Sequence, residues 1–229
     1  MSRTLCLIPA RGGSKGIPRK NLQQVGGKPL IVWTIEQALA IDDEEQVDVV
    51  VSTDDEEIAA VAAAAGAEVP FLRPAELAGD TAATEPVVIH AIEHLAAADR
   101  RPDTVMLLQA TSPLRHSGTL ARALREFRDS GVDSSVGVVP QAPFLWSATD
   151  PPRADYDVAR RPRRQDLTAQ TLRYRETGSV YVTRTDIYLE HHNRLGGRIG
   201  LFVMDEVEGV DIDTALDLAF AEQQLPLLS

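Results

Sequence analysis

Residues 5–21 read LCLIPARGGSKGIPRKN, and the rest of the chain is best read outward from them. LCLI, residues 5–8, is a short apolar run of the kind that forms a strand buried on both faces. The chain then turns through Arg11-Gly12-Gly13-Ser14-Lys15-Gly16 and closes on Arg19-Lys20-Asn21. Three glycines permit positive φ and a close approach of the backbone to a ligand, and successive amides in such a turn converge on an anion. Four cations, Arg11, Lys15, Arg19 and Lys20, crowd this loop in a chain whose formal net charge is −11. A basic, glycine-rich loop after a first strand suits a triphosphate. A solvated surface turn has the same composition.

The common phosphate motifs do not fit. A P-loop places Lys and then Ser or Thr after its second glycine; here Gly27-Lys28 is followed by Pro29, and Gly16 by Ile17. The dinucleotide fingerprint sets its last glycine at the start of a helix, and Pro18 disfavours helical geometry just before it. The stretch is a phosphate loop of another kind.

Outward from the loop, residues 30–40 carry apolar side chains at helical spacing, and 47–51 form a β-branched run typical of a buried parallel strand. Ser52-Thr53-Asp54-Asp55 is a turn with a helix cap, residues 56–65 an alanine-rich helix stopped by Gly66, and 67–72 a short strand. This βαβαβ order predicts an α/β fold, Rossmann-like, with a mostly parallel sheet flanked by helices. Helices are expected over 84–98, 119–129, 186–190 and 214–224, the last capped by Asp213 or Thr214, and strands over 105–108, 134–139, 178–183 and 201–204. Ligands collect at the carboxyl ends of strands in such sheets, which singles out Gln109. His90 and His94 share a face of one helix, but no carboxylate stands at zincin spacing, and they read as ordinary helix histidines.

The 229 residues suit one domain, 1–229, that is 44% hydrophobic and 25% charged. The acidic balance argues against a nucleic-acid surface. The one cysteine, Cys6, excludes an internal disulfide and reads as a small buried hydrophobe. The first apolar run is too short for a signal peptide or a membrane span, so a cytoplasmic protein without a membrane partner is expected. Between residues 140 and 175 periodicity fades, and Pro140, Pro143, Pro151, Pro152 and Pro162 alternate with Arg160, Arg161, Arg163 and Arg164. So long an excursion is a solvated loop, or a functional or partner-binding arm.

Asp211 and Asp213 form a second centre. Two apart in an extended segment, they point to one side. Carboxylates so close repel unless a proton or a cation relieves them, and a hard divalent cation with oxygen ligands, Mg²⁺ or Mn²⁺, fits. A capping Asp213 beside a solvated Asp211 fits as well. No Ser/His/Asp or cysteine constellation asks for covalent catalysis.

Four blocks together resemble the CMP-nonulosonate (acylneuraminate) synthetases: residues 8–18 with Lys20-Asn21, then RPAELAGDT at 73–81, LLQATSPLR at 107–115, and VDIDT at 210–214. The resemblance implies a GT-A-like nucleotidyltransferase fold and transfer of a cytidylyl group from CTP to a nine-carbon 2-keto acid sugar, with Mg²⁺ or Mn²⁺. It implies catalytic roles for Arg11, Lys20, Asp211 and Asp213, the last two as metal ligands. Nucleotide contacts would be Arg11, Gly12, Gly13, Ser14, Lys20, Asn21, Arg73 and Thr84; acceptor contacts would be Gln109, Arg164, Gln165 and Tyr181. It also implies a homodimer whose arm, near 141–173, lends side chains to the neighbouring subunit. Two departures bear on the acceptor: Arg175-Glu176-Thr177-Gly178 stands for Arg-x-Asn-Gly, and Arg194-Leu195 for an aromatic pair. Transfer to 3-deoxy-manno-octulosonate or a phosphonate, or a non-catalytic nucleotide-binding domain, are the alternatives.

Overall fold

A computed structural model describes residues 2–13, 16–42, 46–79, 81–168 and 171–228. Its strands are β1 (Arg3–Pro9), β2 (Gln24–Val25), β3 (Lys28–Pro29), β4 (Gln46–Ser52), β5 (Thr104–Leu108), β6 (Ser134–Gln141), β7 (Trp146–Ser147), β8 (Arg153–Ala154), β9 (Arg173–Arg184) and β10 (Ile199–Val203). The helices are α1 (Leu30–Leu39), α2 (Glu56–Ala64), α3 (Thr84–Ala97), α4 (Thr119–Ser130), α5 (Thr185–His191) and α6 (Ala215–Gln224). The central sheet has the order β10-β6-β9-β5-β1-β4. β1 pairs parallel with β4 and β5, and β10 with β6, while β9 runs antiparallel between β5 and β6.

Alternation along the strands divides the core. Cys6, Ile8, Val51, Met106 and Val182 pack with Ile31, Ile35, Ile58 and Leu124 of α1, α2 and α4. Leu5, Leu7, Val105, Leu107 and Tyr181 point the other way, toward Val88, Ile92 and Leu95 of α3 and Tyr188 of α5. Cys6 is fully buried, and burial pushes its thiol up to about 12, so it behaves as a hydrophobe. A third cluster joins Val25, Leu30 and Leu114 to Ile212, Ala221 and Leu225, fastening the first loop region to the end of the chain. No helix among the described residues is long and apolar enough to cross a membrane.

Two local expectations change. Residues 67–72 make two isolated parallel bridges, Val50 with Glu68 and Thr53 with Leu72, instead of a strand. Pro70 interrupts them and has no amide to donate. β9 begins at Arg173 rather than 178. Its pairing with β6 shifts register between Val136 and Val138, and Gly178 takes a φ of 72° near that break, so the period-2 pattern is interrupted in the sequence but not in the strand.

Between the paired Gln141 and Arg173, residues 142–168 and 171–172 lie outside the central sheet. They hold the β7–β8 hairpin and a 3-10 turn, Arg164–Asp166. Phe144 and Trp146 meet the Tyr156 ring edge-on, and the Arg161 guanidinium lies 4.2 Å from the Phe144 ring centre.

Candidate active site at the carboxyl edge of the sheet

β4 lies on one side of β1 and β5 on the other, so the strand order reverses at the β1/β5 boundary. A crevice forms at such a switch point, beyond the carboxyl ends of the strands. A cavity of about 450 Å³ opens there, bordered by Pro9 at the end of β1 and Gln109 just past β5.

The first loop reaches this cavity by close packing rather than by positive φ. A Cβ on Gly12 would lie 2.6 Å from Asp55 Oδ2, and one on Gly16 would lie 2.6 Å from the Asp213 carbonyl oxygen. It is Arg19, not a glycine of the loop, that adopts φ 54°. The Gly12 amide donates to Asp54 Oδ1 at 3.1 Å, so this amide is committed to a carboxylate. Arg19 is turned to Asp55 and Glu57. Its hydrogen bond is the main reason the Asp55 carboxyl sits below its ordinary value of 3.8. Arg19 therefore braces the loop against α2, whose N-cap is Asp55. Ser14 and Lys15 lie outside the described residues.

Arg11, Gly13, Lys20 and Asn21 border the cavity. Arg11 Nη1 donates to the Gly79 carbonyl at 3.3 Å, and Asn21 Nδ2 donates to the Arg11 carbonyl at 3.1 Å. Asp211 and Asp213 come in from the opposite end of the chain, on either side of Ile212, which is fully buried. Lys20 Nζ donates to the Ile212 carbonyl at 2.8 Å and to Asp213 Oδ1 at 3.0 Å. Ser112 Oγ donates to Asp211 Oδ1 at 3.4 Å, and the Ile212 amide to Thr111 O at 2.8 Å. The basic loop and the acid pair thus form one wall. Arg73 and Thr84 border the same space. Arg73 is buried, with Nε on Ser52 Oγ at 3.1 Å and Nη2 on the Ser52 carbonyl. Burial lowers its pKa; Asp54 opposes this and the neighbouring Arg11 adds to it. Ala83 and Thr84 bring the N-terminus of α3 to the cavity without a side-chain cap, where an anion is favoured.

The cytidylyltransferase family profile matches residues 5–196. The chain belongs to this family. A pseudaminic acid cytidylyltransferase of Campylobacter jejuni is 37% identical over 96% of this chain and 95% of its own. A CMP-N,N'-diacetyllegionaminic acid synthase of Legionella pneumophila is 34% identical over 98% and 97%. N-acylneuraminate cytidylyltransferase A of Danio rerio is 36% identical over 96% of this chain and 50% of its own. In fold, the chain is similar to a CMP:2-keto-3-deoxy-manno-octonic acid synthetase complexed with CTP, with TM-score 0.73 at 18% identity over 99% of both chains. It is also similar to a 4-diphosphocytidyl-2C-methyl-D-erythritol synthase of Anaerococcus prevotii, with TM-score 0.67 at 11% identity over 98% and 99%. The protein is a nucleotidyltransferase of the acylneuraminate cytidylyltransferase type.

On the acceptor side, this cytidylyltransferase gathers fewer of the expected residues. Gln109 borders the cavity. Tyr181 does not: it is 3% exposed, on the α3 face of the sheet between Leu107 and Val136. Its hydroxyl donates to Glu176 Oε1, and the Arg194 guanidinium lies 5.0 Å from its ring centre. Burial, with that hydrogen bond, pushes its pKa up to about 12. Strand alternation sends the side chain into the core and not to the strand end. Arg164 and Gln165 sit in the exposed turn of the excursion and are not among the lining residues. Arg194 Nε donates to Glu85 Oε1 at 2.7 Å, so the position expected to be aromatic holds a charge paired beside Thr84.

Sequence reading passed over Arg115, the last residue of LLQATSPLR. It is 3% exposed, and burial lowers its pKa to about 10 even though Glu208 and Asp211 oppose the shift. The signal available was an arginine closing an apolar block directly after a strand end.

Proposed function

We propose that this cytidylyltransferase joins CTP to a nonulosonic acid, a nine-carbon 2-keto acid sugar, forming the CMP-sugar and pyrophosphate in the cytoplasm. One observation carries the reading: Arg11 and Lys20 share a cavity with Asp211 and Asp213, and the Lys20 ammonium stands 3.0 Å from Asp213. The relatives' names, which specify pseudaminic, legionaminic and acylneuraminic acids, support the same acceptor class.

The chain's part is positioning and charge. Arg11 and Lys20 offset the negative charge that grows on the leaving pyrophosphate. Asn21 holds the Arg11 carbonyl, so that Gly12 and Gly13 keep their course beside the phosphates. Arg73, braced on Ser52, and Thr84, at the start of α3, complete the nucleotide side. Asp211 and Asp213 would hold Mg²⁺ or Mn²⁺; two carboxylates flanking a backbone carbonyl are an all-oxygen donor set, which suits a hard cation. When bound, that ion polarises the α-phosphate and lowers the pKa of the attacking hydroxyl. Lys20 lies against the same acid pair, its ammonium donating to Asp213. Gln109 meets the sugar, and Tyr181 backs that end from the core. Arg164 and Gln165 act from the partner subunit of a homodimer, where an arginine pairs with the sugar's carboxylate.

Pyrophosphate release measured with CTP, Mg²⁺ and a panel of nonulosonic acids tests the reading. Release with at least one acid, together with a CMP-sugar product, is expected. No release with any acid, or equal release with UTP and ATP, overturns it.

A further inference from the structure

We propose that Arg115 is a positioning residue that sets Gln109 from behind the cavity wall. A guanidinium carries five N–H donors, and five bonds are made here. Nε reaches Ser179 Oγ at 2.9 Å; Nη2 reaches the carbonyls of Ser179 at 2.7 Å and Gln109 at 3.2 Å. Nη1 reaches Thr34 Oγ1 at 3.2 Å and Gln37 Oε1 at 2.9 Å, both on α1. Every one of these acceptors is neutral. Burying a charge without an ion partner in contact is costly, so five neutral bonds on one cation are there for geometry.

That geometry converges on one side chain. Arg115 holds the backbone of Gln109 by its carbonyl. It also holds Ser179, whose neighbour Gly178 forms the floor under the Gln109 side chain: a Cβ on Gly178 would lie 3.2 Å from Gln109 Oε1. Thr111 Oγ1 lies 3.4 Å from the same oxygen. The support of Gln109 from below and its attachment to β5 therefore depend on one rigid fork. Lysine carries a charge but no fork.

The catalytic consequence rests on the proposed sugar-acid transfer; the positioning itself is testable without it. In Arg115→Lys, the KM for the sugar acid is expected to rise about tenfold or more, because small misplacements of a contact are expensive, with the KM for CTP within about twofold of wild type. Ser179→Ala, which removes one acceptor and preserves the charge, should move the same KM in the same direction by less. Thr34→Val, which removes one bond on the α1 side, should lower Tm and leave both KM values in place. A purely structural Arg115 would instead lower kcat through loss of folded enzyme, with both KM values unchanged, and that result overturns the proposal. Hydrogen exchange over residues 108–112 decides the positioning itself. Faster exchange there in Arg115→Lys and Ser179→Ala, but not in Thr34→Val, supports it even if no sugar acid is turned over; unchanged exchange in both overturns it. Failure of the transfer reading shows separately, as wild-type enzyme that releases no pyrophosphate.

Discussion

Two basic, irregular stretches leave the central sheet, and they are fastened in opposite ways. The first, residues 10–23, is held by partners distant in sequence: Lys20 by Ile212 and Asp213, Arg19 by Asp55 and Glu57, and Gly16 against the Asp213 carbonyl. The second, residues 142–172, is held mostly by itself: Arg160 by Asp157, Arg163 by Asp166, and Trp146 by Tyr156. Exposed local ion pairs contribute about 0–1 kcal/mol each, which does not offset the entropy of ordering some thirty residues. The second stretch also leaves Leu145, Trp146 and Val158 between 43% and 59% exposed. Among the described residues the first loop finds its partners within one chain; the second carries exposed apolar side chains, which the proposed dimer would cover. Cations alone do not distinguish a site from an arm, but the reach of their contacts does.

The contrast is broken most directly at Lys20. Lys20→Ala should lower kcat by about 10²–10³-fold with the far-UV circular dichroism unchanged; activity within tenfold of wild type would detach the loop from the acid pair. Next in size is the arm. Trp146→Ala should weaken self-association by roughly thirtyfold or more, the loss typical of a central aromatic anchor, read by sedimentation across a concentration series. A wild-type chain that sediments as a monomer at every concentration removes the dimer from the proposal.

Gly16→Ala sharpens the comparison, because its Cβ would meet the Asp213 backbone oxygen at 2.6 Å. A cost of about 1–3 kcal/mol is expected, seen as a Tm lowered by several degrees and a raised KM for CTP. Gly13→Ala, with nothing within 4 Å of the added carbon, should leave Tm in place. The smallest effect concerns Arg19. Its hydrogen bond holds Asp55 below the ordinary value of 3.8, so this contribution is present above about pH 4 and is lost as pH falls through the depressed folded value. Arg19→Met should lower Tm by about 1–2 °C at pH 6, and the difference should vanish toward pH 2. A difference that persists at pH 2 would assign the loss to packing.

Much of this was legible beforehand because the signals are local. The apolar run of β1, the β-branched run of β4, Asp55 as the cap of α2 and Thr214 as the cap of α6 all act over a few residues. The quoted motifs likewise pointed to Arg11, Lys20, Asn21, Arg73, Thr84, Gln109, Asp211 and Asp213, which border one cavity. The early start of β9 and the burial of Tyr181 were not legible, for one reason. A strand interrupted by Gly178 and a register shift conceals both its length and the face on which each side chain falls.

From the order of residues alone, then, came the α/β class, the basic glycine loop, the acid pair and the family, since each depends on short spacings or recurring words. Tertiary structure alone decided that Gly16 abuts Asp213, that Lys20 closes on a carboxylate 193 positions away, that Tyr181 belongs to the core, and that Arg115 stands behind Gln109. Contacts of that separation are set by how strands stack and helices cover them, and no local spacing encodes which distant groups will meet.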